Sequence, residues 1–211
     1  MIVHNEAKAL ECNLPLFLEQ QCKEIQYEVI VVDDDSTDET PDILKRMCTQ
    51  YPHLYKTFLP KSPINPLRRR LAWSVGIKAA KGDWLVMTDI NRPPCSTSFL
   101  SELAFFVDNS DSRVIMNYNS HSTRTNTRYQ LFSDFSDAAP LLCKAERHSG
   151  RGHKGNWLRN FRGLYTAVAV PTQLAHTLLN HFDCNVRGTQ LMMLRIRVLL
   201  KSITHFPSKP A

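Results

Sequence analysis

The sequence lacks any uninterrupted apolar run of the ~18 residues that a membrane-spanning helix needs. Its opening, Met1-Ile2-Val3-His4-Asn5-Glu6, is too short and too polar for a secretory signal, so a cytoplasmic location is expected. No C-x-x-C pair occurs: Cys12, Cys22, Cys48, Cys95, Cys143 and Cys184 lie far apart, which argues against a zinc cage or a redox pair and for reduced thiols. His181-x-Asp183-Cys184 does not have zinc-site spacing, and no second ligand pair accompanies it. No internal repeat is visible. Glycine is scarce, and three of the seven glycines crowd between Ser149 and Asn156, which marks that stretch as a loop. Acid is scarce late in the chain: from Lys144 onward 11 Lys and Arg face only two acids, Glu146 and Asp183. Residues 1–100 are close to neutral by contrast. A basic half of this kind suits something anionic, whether phosphate, lipid head groups or nucleic acid. A plain solvated basic surface would give the same count.

What is present is an ordinary globular composition, 43% hydrophobic and 22% charged. Leu10, Leu14, Phe17, Leu18 and Gln21 recur at helical spacing, so Glu6 to Cys22 reads as a helix that Pro15 interrupts. Val29-Ile30-Val31-Val32 is a continuous β-branched run, as in a strand covered on both faces. Asp33-Asp34-Asp35-Ser36-Thr37-Asp38 follows, and then a helix from Pro41 to Gln50, for which Ser, Thr and Asp are good starting residues. Tyr55 to Leu59 reads as a short strand, and Leu67 to Ala80 as a helix closed by Lys81-Gly82. Trp84 to Thr88 is a buried strand, Thr97 to Val107 a helix, and Arg113 to Tyr118 a strand. Asn119 to Arg128 is so polar that it reads as a surface loop. Strands and helices alternate up to residue 118, the pattern of an α/β sheet of mostly parallel strands flanked by helices. Ligands of such sheets sit at the carboxyl ends of the strands. Both acidic clusters, 33–35 and 89–91, fall there. Helix capping accounts for the first cluster; it does not account for Asp89, which precedes Pro93-Pro94 and no helix.

Asp89-x-Asn91 offers a carboxylate and an amide oxygen two residues apart, a hard donor pair of the kind that Mg2+ or Mn2+ accepts together with phosphate oxygens. Arg68-Arg69-Arg70 opens the helix between the acidic sites, and arginine pairs bidentately with phosphate, although a solvent-facing helix start explains such a triplet as well. Trp73 and Trp157 fit core packing better than sugar stacking. Leu191 to Ile203 is mostly apolar with Arg195, Arg197 and Lys201 inserted, a pattern that fits a helix lying on an anionic membrane and fits helix-on-sheet packing slightly better.

These residues carry a family resemblance. Val3-His4-Asn5-Glu6-Ala7, the run from Glu28 through Asp33-Asp34-Asp35 to Thr40, and the run from Gly76 to Leu85 resemble motifs of the family 2 glycosyltransferases at the family's spacing. The resemblance covers roughly the first half of the chain. Arg151 to Asn156 and Asn180 to Asp183 resemble the acceptor half of bacterial members more weakly. It implies a GT-A fold, with a Rossmann-like sheet. Residues 1–118 would form a nucleotide-sugar half and 119–211 an acceptor half of one continuous domain. It implies that Asn5, Glu6, Asp33, Asp34 and Arg68 bind the nucleotide of a UDP- or GDP-sugar. Asp89 and Asn91 would hold Mn2+ or Mg2+. The implied reaction is inverting transfer to a saccharide or lipid-linked acceptor, in surface polysaccharide or glycolipid synthesis, with possible peripheral contact at the inner face of the membrane.

Three departures stand out. Asp35 replaces the motif's glycine. Asn91 stands where a second metal-binding Asp is expected. No clear base follows Arg187-Gly188, which leaves Asp183 as the candidate for deprotonating the acceptor. A catalytically weakened nucleotide-sugar binder is the alternative that these departures favour. A basic nucleic-acid-binding module is the third reading, and the absence of aromatics interleaved with the basic residues speaks against it.

Overall fold

The computed structural model describes residues 1–23, 25–61, 68–109, 114–122, 127–134 and 167–181. The loop at 149–156, Glu146, Trp157, Asp183 and the segment 191–203 lie outside them.

Strands β1 (Ile2–Val3), β2 (Val29–Asp33) and β3 (Leu54–Phe58) form a parallel sheet in the order β1-β2-β3. The register aligns Val3 with Asp33 and Asp33 with Phe58, so the three strands end together. The β-branched run of β2 has a direct explanation in its two faces. Val31 packs with Leu10, Leu14, Ile43, Leu44 and Met47 of helices α1 (Ala7–Leu18) and α2 (Thr40–Gln50). Val32 packs with Leu59 and Ala72 beneath helix α3 (Arg68–Ala79). Fully burying each such leucine or valine stabilises by roughly 1.5–3 kcal/mol. Gly76 lets α3 approach this closely, since a Cβ there would stand 3.3 Å from the Val32 methyl.

Helix α1 is shorter than its apolar spacing suggested and contains Pro15 within it. Proline has no N–H to give to the turn before, but the helix stripe of Leu10, Leu14, Phe17 and Leu18 is fully engaged in the core, and packing outweighs that one missing bond.

Strand β4 (Trp84–Thr88) belongs to a second sheet. Helix α4 (Phe99–Asp108) follows it, then β5 (Ile115–Ser122), β6 (Thr127–Asp134), β7 (Ala167–Pro171) and helix α5 (Thr172–His181). The sheet order is β4-β7-β5-β6, and all of its pairings are antiparallel. The class is therefore α/β as expected, with a parallel sheet on the side of the first motif and an antiparallel one beyond it. Phe99, Leu103, Ile115, Ala167 and Ala169 form its core, and Phe99 stacks on Phe132 at 5.8 Å.

The polar stretch 119–128 is not the loop that its composition suggested. Most of it forms the paired arms of β5 and β6, from Asn119 opposite Gln130 to Ser122 opposite Thr127. Backbone pairing satisfies the strand N–H and C=O groups whatever the side chains are, so a polar strand leaves no hydrophobic period to read.

A cavity of about 710 Å³ lies between the two sheets, lined by Ile2, Ile30, Trp73, Trp84, Leu85 and Leu103 among others. Trp73 thus lines that cavity and is half-buried. The cavity is mainly apolar in lining and does not include Asp34, Arg68, Asp89 or Asn91.

Candidate functional site

The carboxyl ends of β1 and β2 are fastened together by short-range hydrogen bonds. Asp34 N–H donates to the Val3 carbonyl at 2.8 Å, and Leu59 N–H to the Asp33 carbonyl at 2.9 Å. Asn5 takes a left-handed backbone, φ 52°, and this turns the chain so that its N–H donates to Ser36 Oγ at 2.9 Å while its Oδ1 accepts from Thr37 N–H at 2.8 Å. The Asp34 carbonyl accepts from the ring Nδ1 of His4 at 2.7 Å, which requires the Nδ1-protonated tautomer. The first N–H groups of α1 would otherwise be orphaned. Glu6 N–H donates to Thr40 Oγ1 at 3.0 Å and Ala7 N–H to Asp38 Oδ2 at 3.2 Å. Burial is the largest single influence and pushes the Asp38 carboxyl up, but hydrogen bonds from the Thr40 side chain, the Thr40 backbone and the Ala7 backbone together outweigh it and hold the group below the ordinary aspartate value.

The three adjacent acids have different fates. Asp33 is buried, and its Oδ1 accepts from Ser36 N–H at 3.1 Å, closing the turn. Asp34 points to α3, where Arg68 Nε donates to its Oδ1. Asp35 has a left-handed backbone, φ 61°, the conformation for which the motif's glycine is suited. Its Oδ2 lies 3.9 Å from Arg68 Nη2. Arg68 Nη1 donates to the Pro60 carbonyl at 3.0 Å, which anchors the guanidinium between α3 and the end of β3.

The second cluster sits at the end of β4. Ile90 is buried in the first sheet's core, and its carbonyl accepts from Asn13 Nδ2 at 2.9 Å. That anchor brings the turn of the second sheet against the first. Asp89 Oδ1 accepts from Asn91 N–H at 3.0 Å. The Asn91 amide nitrogen donates to Glu6 Oε1 at 3.1 Å and to Asp89 Oδ1 at 3.3 Å. Two carboxylates from opposite sheets therefore converge on one atom, and both Asp89 and Asn91 are exposed. Among the described residues no group of three or more His, Cys, Asp or Glu is arranged to hold a metal.

Asn5, Glu6, Asp33, Asp34 and Arg68 thus gather at one edge, and Glu6 links that edge to Asp89 and Asn91. Asp183 lies outside the described residues. The residues ahead of Pro41 are expected to start α2; Asp38 and Thr40 also accept from the N–H groups that open α1, a role outside that expectation. A Ser or Thr with an acid two residues before it, just ahead of a helix, is the signal that would have found them.

Residues 1–90 match the family model described as Glycosyl transferase family 2. No curated protein matches the chain. Among solved structures, S. aureus TarS 1-349 is 26% identical over 54% of this chain and 32% of its own, with a TM-score of 0.45. A mannosyltransferase, PcManGT from Pyrobaculum calidifontis in complex with GDP-Man and Mn2+, is 24% identical over 54% of this chain and 32% of its own, with a TM-score of 0.46. Glucosyl-3-phosphoglycerate synthase from Mycobacterium tuberculosis, in complex with UDP, is 16% identical over 82% of this chain and 55% of its own, with a TM-score of 0.44. The chain spans about a third of the length of the first two. The resemblance read from the motifs is thus found again over residues 1–90.

Proposed function

We propose that this chain binds a nucleoside-diphosphate sugar at the joined ends of β1, β2 and β4, and that it acts as a glycosyltransferase. The observation that carries this reading is the convergence of two strand ends: Asp34 paired with Arg68 at the end of β2 in the parallel sheet, and Asp89 at the end of β4 in the second sheet, joined through Asn91 to Glu6. An α/β sheet offers its ligand site at that edge. The match of residues 1–90 to family 2 supports the same reading.

In this reading Asp34 accepts hydrogen bonds from the base and ribose of a UDP- or GDP-sugar, and Arg68 supplies a cationic donor beside them. Asn5 and Asp33 hold the turn. Glu6 faces the nucleotide from the position just before α1. The donor set around Asn91, two carboxylates and an amide, suits a hard divalent cation whose remaining positions phosphate oxygens fill. Asp89 would hold Mn2+ or Mg2+, with Asn91 as a weaker ligand once its amide turns its oxygen inward. Such a cation, when bound, neutralises charge on the departing diphosphate.

Transfer joins the acceptor hydroxyl oxygen to the anomeric carbon from the face opposite the diphosphate, inverting that carbon, while the bond to the diphosphate oxygen breaks. The hydroxyl proton goes to a carboxylate, for which we propose Asp183. We further propose that residues 1–118 serve the donor and 119–211 the acceptor, a saccharide or a lipid-linked one. The basic stretch with Arg195, Arg197 and Lys201 would then meet an anionic membrane face, in surface polysaccharide or glycolipid synthesis. No helix among the described residues is long and apolar enough to cross a membrane. Co-sedimentation should then need anionic vesicles, weaken with salt, and fall when Arg195 and Arg197 become Gln; equal binding to neutral vesicles rejects the membrane role.

A second reading is a nucleotide-sugar binder with little turnover, favoured by the neutral amide of Asn91. Calorimetry with UDP and GDP, with and without Mn2+, followed by a donor-turnover assay, separates the two. Binding without turnover supports the binder; no nucleotide binding rejects both.

A further inference from the structure

We infer that Asp35 competes with the nucleotide for Arg68 and so weakens donor binding; this deepens, and rests on, the nucleotide reading above. The guanidinium distributes its donors unevenly. Nε is committed to Asp34 and Nη1 to the Pro60 carbonyl. Nη2 is buried and has no hydrogen-bond partner among the described residues. Asp35 Oδ2 stands 3.9 Å from that nitrogen, too far to hydrogen-bond and near enough to attract. A buried donor left unmade is costly. The arrangement therefore keeps one donor of Arg68 in reserve, with a carboxylate posted beside it.

The turn does not need that carboxylate. At φ 61° Asp is among the better-tolerated side chains, but it is still at a disadvantage that glycine avoids. Nor is a second acid needed to fix Arg68, which Asp34 and the Pro60 carbonyl already hold. What Asp35 adds is negative charge: with Asp34 it puts two carboxylates beside one guanidinium. A nucleoside diphosphate brings acceptor oxygens that complete Nη2, and it brings negative charge of its own. Asp35 obstructs the first and repels the second. It must swing aside, or be screened, before the nucleotide reaches Arg68.

The test is calorimetric titration of the whole chain with UDP and with GDP, each with Mn2+, for the parent, Asp35→Asn and Asp35→Gly. Asn tolerates the left-handed backbone and removes only the charge; Gly removes charge and strain together. The expected result is that Asp35→Asn tightens whichever nucleotide the parent binds by about five-fold at low salt, with the gain shrinking as salt rises. Asp35→Gly should tighten it as well, and should in addition raise the melting temperature. Equal or weaker binding by Asp35→Asn overturns the inference, and so does a gain confined to the glycine variant, which would trace to strain. If parent and variants keep a folded circular-dichroism spectrum and none binds either nucleotide, the nucleotide reading falls with it. Binding by the parent with no gain in Asp35→Asn removes this inference alone.

Discussion

The two acidic strand ends of this molecule are built differently. The end of β2 is closed: Asp33 is buried in its own turn, Asp34 is held by Arg68, and the side chains of Ser36, Asp38 and Thr40 tie the turn to the start of α1. The end of β4 is open: Asp89 and Asn91 are exposed, and their link to the rest of the site is one amide shared with Glu6. The first end is organised before any ligand arrives. The second has its carboxylates in place, but the atom between them is a neutral nitrogen, so its final geometry depends on what binds.

The contrast can be broken most forcefully at the closed end. Asp34→Ala should weaken UDP or GDP binding at least ten-fold, because it removes the acceptor and strands a mostly buried guanidinium. Circular dichroism should still show the fold, since the sheet's core lies behind the site. Nucleotide binding as tight as the parent's would show that this end is not the site.

At the open end the effect should be smaller and opposite in sign. Asn91→Asp replaces the shared amide by a third carboxylate facing Glu6 and Asp89. Without metal the variant should melt a few degrees lower than the parent, by like-charge repulsion and two lost hydrogen bonds. Mn2+ should reverse that loss and should bind roughly ten-fold more tightly than to the parent. Tighter Mn2+ binding by the parent, read by electron paramagnetic resonance, would contradict this account of Asn91.

The smallest effect concerns the tie between the two elements. Asp38 is held below its ordinary value of 3.8 by Thr40 and Ala7. A carboxyl lowered on folding stabilises above its unfolded value, and the contribution is lost as pH falls through the folded one. Asp38→Asn should therefore lower the melting temperature slightly at pH 7, and the gap from the parent should close towards pH 3. A gap that persists in acid would assign the loss to shape and not to charge.

How much of this was legible in the sequence differs by region for physical reasons. Val29 to Val32 announced a doubly covered strand because both of its faces meet apolar partners, and the helix of Leu10, Leu14 and Phe17 announced itself because one side is buried. The acids at the two strand ends were legible as a site because they follow buried strands directly. The different fates of Asp33, Asp34 and Asp35 were not legible, because backbone direction at a turn decides them. The hairpin of β5 and β6 was hidden by its polar side chains. The antiparallel second sheet was hidden because its closing strand, β7, lies far along the chain, and pairing at that distance leaves no local pattern.

That last arrangement has a consequence for how the protein is made. β1 to β3 can assemble once about 60 residues have left the ribosome, since their contacts are local in sequence. β4 has no such partner nearby: its mate β7 emerges about 80 residues later. During that interval Trp84, Leu85, Val86 and Met87 form a nascent apolar strand with an unpaired edge, the kind of surface that chaperones hold and that neighbouring chains capture. A ribosome stalled between β4 and β7 would therefore display a finished parallel sheet beside a segment prone to aggregation.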